Sequence, residues 1–267
     1  MSGLKIVVLA KQVPDTHNVG SNAMNPDGTV NRAALPTVFN PEDLNALEMA
    51  LQVKDRMPGT HVTVVTMGLP KAAGIITDSM SRGADDGFVL SDPRLGGADT
   101  LATSYALSKA VEMIGNVDLI FGGRQAIDGD TAQVGPQVAE KLNIPQVTYA
   151  ETLVNVDNKS IELTRRLADG IEQVRVNFPA VVTVTGTAQP CRFAHAHRLI
   201  KLDGQVVETR NADDIKPDLE RIGKKGSPTK VKKIQNVVLA HKESQMVEPK
   251  TEALSELMGT LIAEHII

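Results

Sequence analysis

Apolar and polar positions along this chain follow two periods, and the switches between them mark the elements. KIVVLA, residues 5–10, is a short β-branched run of the kind buried on both faces of a parallel sheet. After a polar loop, NPEDLNALEMALQVKDR carries Leu44, Leu47, Ala50 and Leu51 at helical spacing. Asn40 suits the cap, Pro41 the first helical position, and Glu42 and Asp43 the positive end of the dipole. HVTVVTMG (61–68) is a second strand, and PKAAGIITDSMSRGA is a second helix ending near Gly83. DGFVLSD is a third strand. DTLATSYALSKAVEMI is a third helix, capped by Asp99 or Thr100. VDLIFGG is a fourth strand, DTAQVGPQVAEKLN the helix after it, and QVTYAETLVNV a further strand.

Strands alternating with helices at this spacing predict an α/β fold, a mostly parallel sheet with helices on both faces. In such sheets ligands bind beyond the carboxyl ends of the strands, where the strand order switches. The unusual loops fall on that edge: AKQVPD after the first strand, TMG at the end of the second, GGADT before the third helix, and GGRQAIDGDT after the fourth strand.

The second half differs. KSIELTRRLADGIEQVRVNFPAVVTVTG alternates apolar and polar residues around a turn at Asp169-Gly170, which predicts antiparallel strands followed by one buried strand. From Ala188 to about Glu243 the periodicity dissolves into Lys-, Arg-, Asp- and Pro-bearing sequence. Such a stretch is rarely core, and reads as disorder or as an arm wrapping a partner. The closing TEALSELMGTLIAEHII puts Leu254, Leu257, Leu261 and Ile262 on one helical face, which favours the docked arm. The expected division is 1–187 as a nucleotide-binding domain and 188–267 as a C-terminal arm.

Composition narrows the function. The 267 residues are 42% hydrophobic and 22% charged, ordinary for a globular protein. A net charge of −4 with scattered basic residues argues against nucleic acid. Aromatics make up 3% and tryptophan is absent, so base-stacking platforms are not expected. The single cysteine, Cys191, excludes an internal disulfide and a cysteine-rich metal site. The apolar run near the N-terminus reads as a strand rather than a signal segment, and no segment reaches membrane-spanning length. The expected location is cytoplasmic, with no membrane insertion.

The chemistry concentrates in DLIFGGRQAIDGDTAQVGPQVAEKL, Asp118 to Leu142. Gly122 and Gly123 permit a sharp turn and close approach of a ligand. A helix beginning near Asp130–Thr131 offers free N–H groups to an anion such as a phosphate. Gln125, Asp128 and Gln133 add donors and acceptors, and Arg124 can pair with a phosphate or with a partner's carboxylate. The spacing is neither Gly-x-Gly-x-x-Gly nor a P-loop. A capped helix after a glycine turn is the plainer alternative to nucleotide binding.

GRQAIDGDTAQVGP resembles the signature of the electron-transfer flavoprotein beta subunit. KQVPDT, FNPEDLNALEMAL, VTMGLP, SRGADDGFVLSDPRLGGADTLATSYAL and KGSPTKVKK resemble the same family, so the likeness runs over nearly the whole chain. It implies a Rossmann-like, adenine-nucleotide alpha-hydrolase-like fold in an obligate heterodimer with an alpha subunit, onto which the C-terminal arm reaches. The family has two groups. In one, the beta subunit holds AMP as a structural ligand. In the other, it holds a second FAD that accepts hydride from NADH. That pair of electrons is then split between ferredoxin or flavodoxin and, through the alpha-subunit FAD, an acyl-CoA dehydrogenase or a quinone reductase. KQVPDT, GGADTLATS and Gly129 are more similar to the second group.

Carried over by position, the resemblance places adenosine and phosphates against Ala10, Asn40, Thr66, Gly68 and the loop from Gly123 through Arg124, Gln125 and Ala126 to Gly135. Asp130, Thr131, Gln133 and Val134 form the helix-terminus cradle, and Asp99, Thr100 and Thr103 lie towards the flavin or its ribityl chain. None is an acid, base or nucleophile in the ordinary sense, so no catalytic residue is assigned; the cofactor carries the redox chemistry. TAQPCRFAHAHRL (187–199) falls where the family contacts its dehydrogenase partner, and its Cys191, His195 and His197 lack a fourth ligand for a metal. A universal-stress-type nucleotide sensor shares the fold class, but such modules are shorter and carry a different phosphate loop.

Overall fold

The computed structural model describes residues 3–15, 36–229 and 246–266. A nine-stranded sheet organises the chain. Its first strand, β1 (Lys5–Leu9), lies between β4 (His61–Met67) and β6 (Leu119–Gly123), parallel to both. β5 (Asp86–Leu90) extends the sheet beyond β4. On the other side, β10 (Ala180–Val184) inserts in parallel between β6 and β7 (Gln146–Val156). The antiparallel strands β8 (Ser160–Leu167) and β9 (Gly170–Asn177) complete that edge. Their turn is Ala168-Asp169, one residue before the expected position, because Leu167 pairs with Gly170. β2 (Gln12–Pro14) and β3 (Thr37–Phe39) form a separate antiparallel pair where the pattern predicted only loop.

The two faces divide the core as the β-branched run of β1 requires. Ile6 and Val8 join Leu47, Leu51 and Ile76, from α1 (Pro41–Arg56) and α2 (Ala73–Arg82). Val7 and Leu9 join Ala106, Ala110 and Val138, from α3 (Thr100–Ile114) and α4 (Val134–Leu142). Both faces of the parallel strands are therefore dry. The chain steps from β1 to β4 on one side and from β5 to β6 on the other, so the strand order reverses between β1 and β6. The crevice outside their carboxyl ends is the favoured ligand position.

The expected arm departs from the prediction over 188–229. α5 (Ala196–Leu202) lies against α2, and β11 (Glu208–Arg210) adds a parallel edge strand to β5. Ala212, Ile215 and Ile222 bury themselves in the α3 face, and the Tyr105 hydroxyl accepts from Asp218 N–H. The anchors are few and irregularly spaced, so they leave no periodic trace. Residues 230–245 of the expected arm lie outside the described residues. α6 (Thr251–Ala263) forms as expected, with no buried residue. No helix among the described residues is long and apolar enough to cross a membrane.

Candidate functional site

The first turn of α1 organises the crevice. Asn40 precedes the helix and Pro41 opens it, leaving Glu42 and Asp43 beside the unsatisfied N–H end. The Asp43 Oδ1 accepts from Gly123 N–H and its Oδ2 from Lys11 N–H, each at 2.8 Å. One buried carboxylate thus joins the ends of β1 and β6. Burial pushes the Asp43 carboxyl up to about 7, against the two backbone donors that pull it down. Glu42 takes Gln125 N–H at 2.8 Å and the Arg124 guanidinium at 3.0 Å, which raises the arginine further. The fully buried Asn40 donates to Gln125 O at 2.9 Å and accepts from Ile127 N–H at 3.2 Å.

The same loop is open further along. Gly129 and Asp130 close a turn onto Ala126 O. Asp130 (φ 48°) and Ala132 (φ 53°) are left-handed, whereas Gln133 returns to right-handed geometry at φ −102°, ψ −31°. Left-handed non-glycine residues carry strain. Alternating hands also aim successive N–H groups into one concavity. The N–H groups of Thr131, Ala132, Gln133 and Val134 donate to no acceptor among the described residues. The helix begins at Val134, later than the expected Asp130–Thr131, because the strained entry replaces its first turn.

The other anticipated residues lie at the carboxyl ends of β1 and β4 and at the starts of α3 and α4. Ala10 follows β1 and donates its N–H to Val65 O. Thr66, near the end of β4, is fully buried and its Oγ1 finds no hydrogen-bond partner among the described residues. An orphaned buried hydroxyl near the carboxyl end of a parallel strand is a place for a ligand atom. Gly68 N–H donates to Leu90 O. Gly135 serves packing between helix and sheet: a Cβ there would lie 2.4 Å from Thr183 Cγ2. Thr100 Oγ1 donates to Gln133 Oε1 at 2.8 Å and so links the starts of α3 and α4, while Thr103 sits one turn into α3. Asp99 caps α3, accepting from Ala102 N–H and, from the far segment, Thr229 N–H. These donors outweigh the burial that would raise its carboxyl, and hold it low. Lys11 and Arg124 are paired with Asp128 at 2.7 Å and with Glu42.

Residues 27–214 match the electron transfer flavoprotein domain. The chain is 41% identical over 264 residues to the electron transfer flavoprotein subunit beta of Clostridium acetobutylicum, covering 99% of this chain and 100% of the relative. It is 39% identical over 275 residues to the acryloyl-CoA reductase electron transfer subunit gamma of Anaerotignum propionicum, covering 99% and 100%. It is 42% identical over 228 residues to the caffeyl-CoA reductase-Etf complex subunit CarD of Acetobacterium woodii, covering 85% and 86%. The chain belongs to the electron transfer flavoprotein family. Within that family it is a beta-type subunit.

The flavoprotein chain also contains supports that sequence reasoning passed over. Glu42 and Asp43 read as dipole-compensating residues, and only the fold shows what they hold. Ser227 and Thr229 clasp Asp99 from 128 and 130 residues away. Tyr149 is left-handed (φ 60°), and the Arg124 guanidinium stands 5.8 Å from its ring. In the 187–199 segment, Arg192 is pinned to Glu48 and Asp55, which leaves the neighbouring Phe193 90% exposed. Cys191 turns inward, where burial pushes its thiol up to about 11.

Proposed function

We propose that this subunit belongs to an electron-bifurcating electron transfer flavoprotein, and that it binds FAD in the crevice between β1 and β6. The observation that carries the proposal is the run of free N–H groups from Thr131 to Val134, entered through left-handed Asp130 and Ala132. Together with the orphaned Thr66 hydroxyl, it fits the phosphates and adenosine of a dinucleotide. When bound, FAD supplies hydride acceptance from NADH and the division of the electron pair between ferredoxin or flavodoxin and, through the FAD of the alpha subunit, an acyl-CoA dehydrogenase.

The chain's own residues position and shield. The loop N–H groups take phosphate oxygens without adding a mobile cation. Thr66 offers its hydroxyl to the adenosine portion, with Ala10 and Gly68 leaving room beside it. Thr100 and Thr103 flank the flavin end. Asn40 and Asp99 act from behind, holding the loop and the start of α3.

AMP with a single flavin elsewhere is the competing reading, since its phosphate would use the same N–H groups. Gly129 favours FAD. A Cβ built there meets nothing within 4 Å, so packing does not demand glycine, and the small residue keeps space for a longer ligand.

Outside the crevice, the exposed Leu254, Leu257, Met258 and Ile262 of α6 offer an apolar face to the obligate alpha subunit. Phe193 offers an anchor to the acyl-CoA dehydrogenase. The acryloyl-CoA and caffeyl-CoA reductase names of two relatives support an acyl-CoA acceptor. The complex would work in the cytoplasm. Anaerobic titration of the heterodimer with NADH tests the proposal. Bleaching of flavin absorbance equivalent to two flavins is expected, and a flavin spectrum untouched by NADH would overturn it.

A further inference from the structure

The root of the nucleotide loop is locked and its tip is open, and the lock comes from one helical turn. Gly123 N–H goes to Asp43, Gln125 N–H to Glu42 and Ile127 N–H to Asn40. The Arg124 side chain also goes to Glu42, and Gln125 O accepts from Asn40. Asp43 extends the lock to the other lip of the crevice through Lys11 N–H. Beyond Ile127 the lock from α1 stops, and the four N–H groups of Thr131–Val134 face no protein acceptor among the described residues.

Two carboxylates beside an anion site are electrostatically unfavourable for the anion itself. Asp43 is also buried, with 6% of its surface exposed, where a charge is costly. Packing alone explains neither choice. A Cβ on Gly123 would lie 2.5 Å from Asp43 Oδ1 and 2.8 Å from Glu42 C, so the loop root has no room to settle elsewhere against α1. Carboxylates are the shortest acceptors able to take two donors each in fixed directions, and such bonds are stronger than neutral ones.

We propose that Glu42 and Asp43 are positioning residues for phosphate binding: by fixing Gly123, Arg124 and Gln125 against α1 and the Lys11 turn, they hold the Thr131–Val134 N–H groups ready for the anion. The proposal rests on the nucleotide reading of the loop, and is indifferent to whether the ligand is FAD or AMP. Preorganised donors bind tightly because little ordering remains when the ligand arrives.

The test uses the intact heterodimer and two competitors for its resident nucleotide, AMP and adenosine, which differ by the phosphate alone. Wild type is compared with Glu42→Gln and Asp43→Asn, and with Asp85→Asn as a control. Asp85 is a carboxylate that takes Val62 N–H and Lys54 at the opposite edge of the sheet. AMP's advantage over adenosine should fall about tenfold or more in both crevice variants and stay at the wild-type value in the control. Loss of a general scaffold would weaken both competitors equally. If Asp43→Asn fails to assemble, Glu42→Gln decides alone, since its carboxylate lies nearer the surface. A wild-type preference for AMP that persists in the variants overturns the positioning role. A wild type with no preference overturns the nucleotide reading of the loop, and the positioning role with it.

Discussion

Gly135 in the first turn of α4 lies so close to Thr183 of β10 that a Cβ at position 135 would stand 2.4 Å from the threonine Cγ2. The helix that presents the N–H run is therefore seated on the sheet by the absence of a side chain. Gly135→Ala should lift α4 and destabilise the protein by about 1–3 kcal/mol, the usual cost of overpacking. Thr183→Ser removes the offending methyl and should recover most of that loss in the double variant. Denaturant unfolding of the four proteins checks both. Additive losses would show that the contact is not the cause.

Thr66 makes the opposite prediction for stability and binding. Its buried hydroxyl has no partner among the described residues, so Thr66→Val removes an unsatisfied polar atom at nearly constant shape. The nucleotide-free protein should gain about 1 kcal/mol, and adenine-nucleotide affinity should fall about tenfold. Calorimetric melts and equilibrium dialysis measure the two effects.

Asp43 gives the pH dependence. Its carboxyl is raised from 3.8 to about 7 in the fold, so the folded state holds an extra proton between those values. Its contribution is fully present below about pH 4 and is lost as pH rises through 7. The stability of wild type relative to Asp43→Asn should therefore fall by a few kcal/mol from pH 4 to pH 8. Unfolding free energies at four pH values check this, and a difference that is flat or rising across the window contradicts it.

Asp99 ties the far segment to the site. Asp99→Ala should cost about 1 kcal/mol for the lost helix cap. It should also loosen residues 223–229, whose Ser227 and Thr229 depend on position 99. Faster trypsin cleavage at Lys224-Lys225, with core peptides unaffected in hydrogen exchange, is the expected pattern. Ser227→Ala should reproduce the cleavage without the full loss of stability.

The parallel strands β1, β4 and β10 were legible as β-branched runs buried on both faces, and β7 matches its predicted bounds from Gln146 to Val156. The candidate loop was legible as a place, since its glycines and polar residues follow a buried strand. Its conformation was not. Asp130 and Ala132 are not glycines, and nothing local announces that they turn left-handed. The bonds from Glu42 and Asp43 span 83 and 80 residues, so their role depends on the strand order. The segment 188–229 was read as an arm because Ala212, Ile215 and Ile222 are too far apart to make a pattern, although each is a full member of the core.

Nucleotide content tests the central claim most directly. The chain would be purified with its alpha subunit, denatured, and its FAD and AMP quantified by chromatography. Two FAD per heterodimer and no AMP is the predicted result. One FAD with one AMP would contradict bifurcation and leave a single-flavin electron carrier.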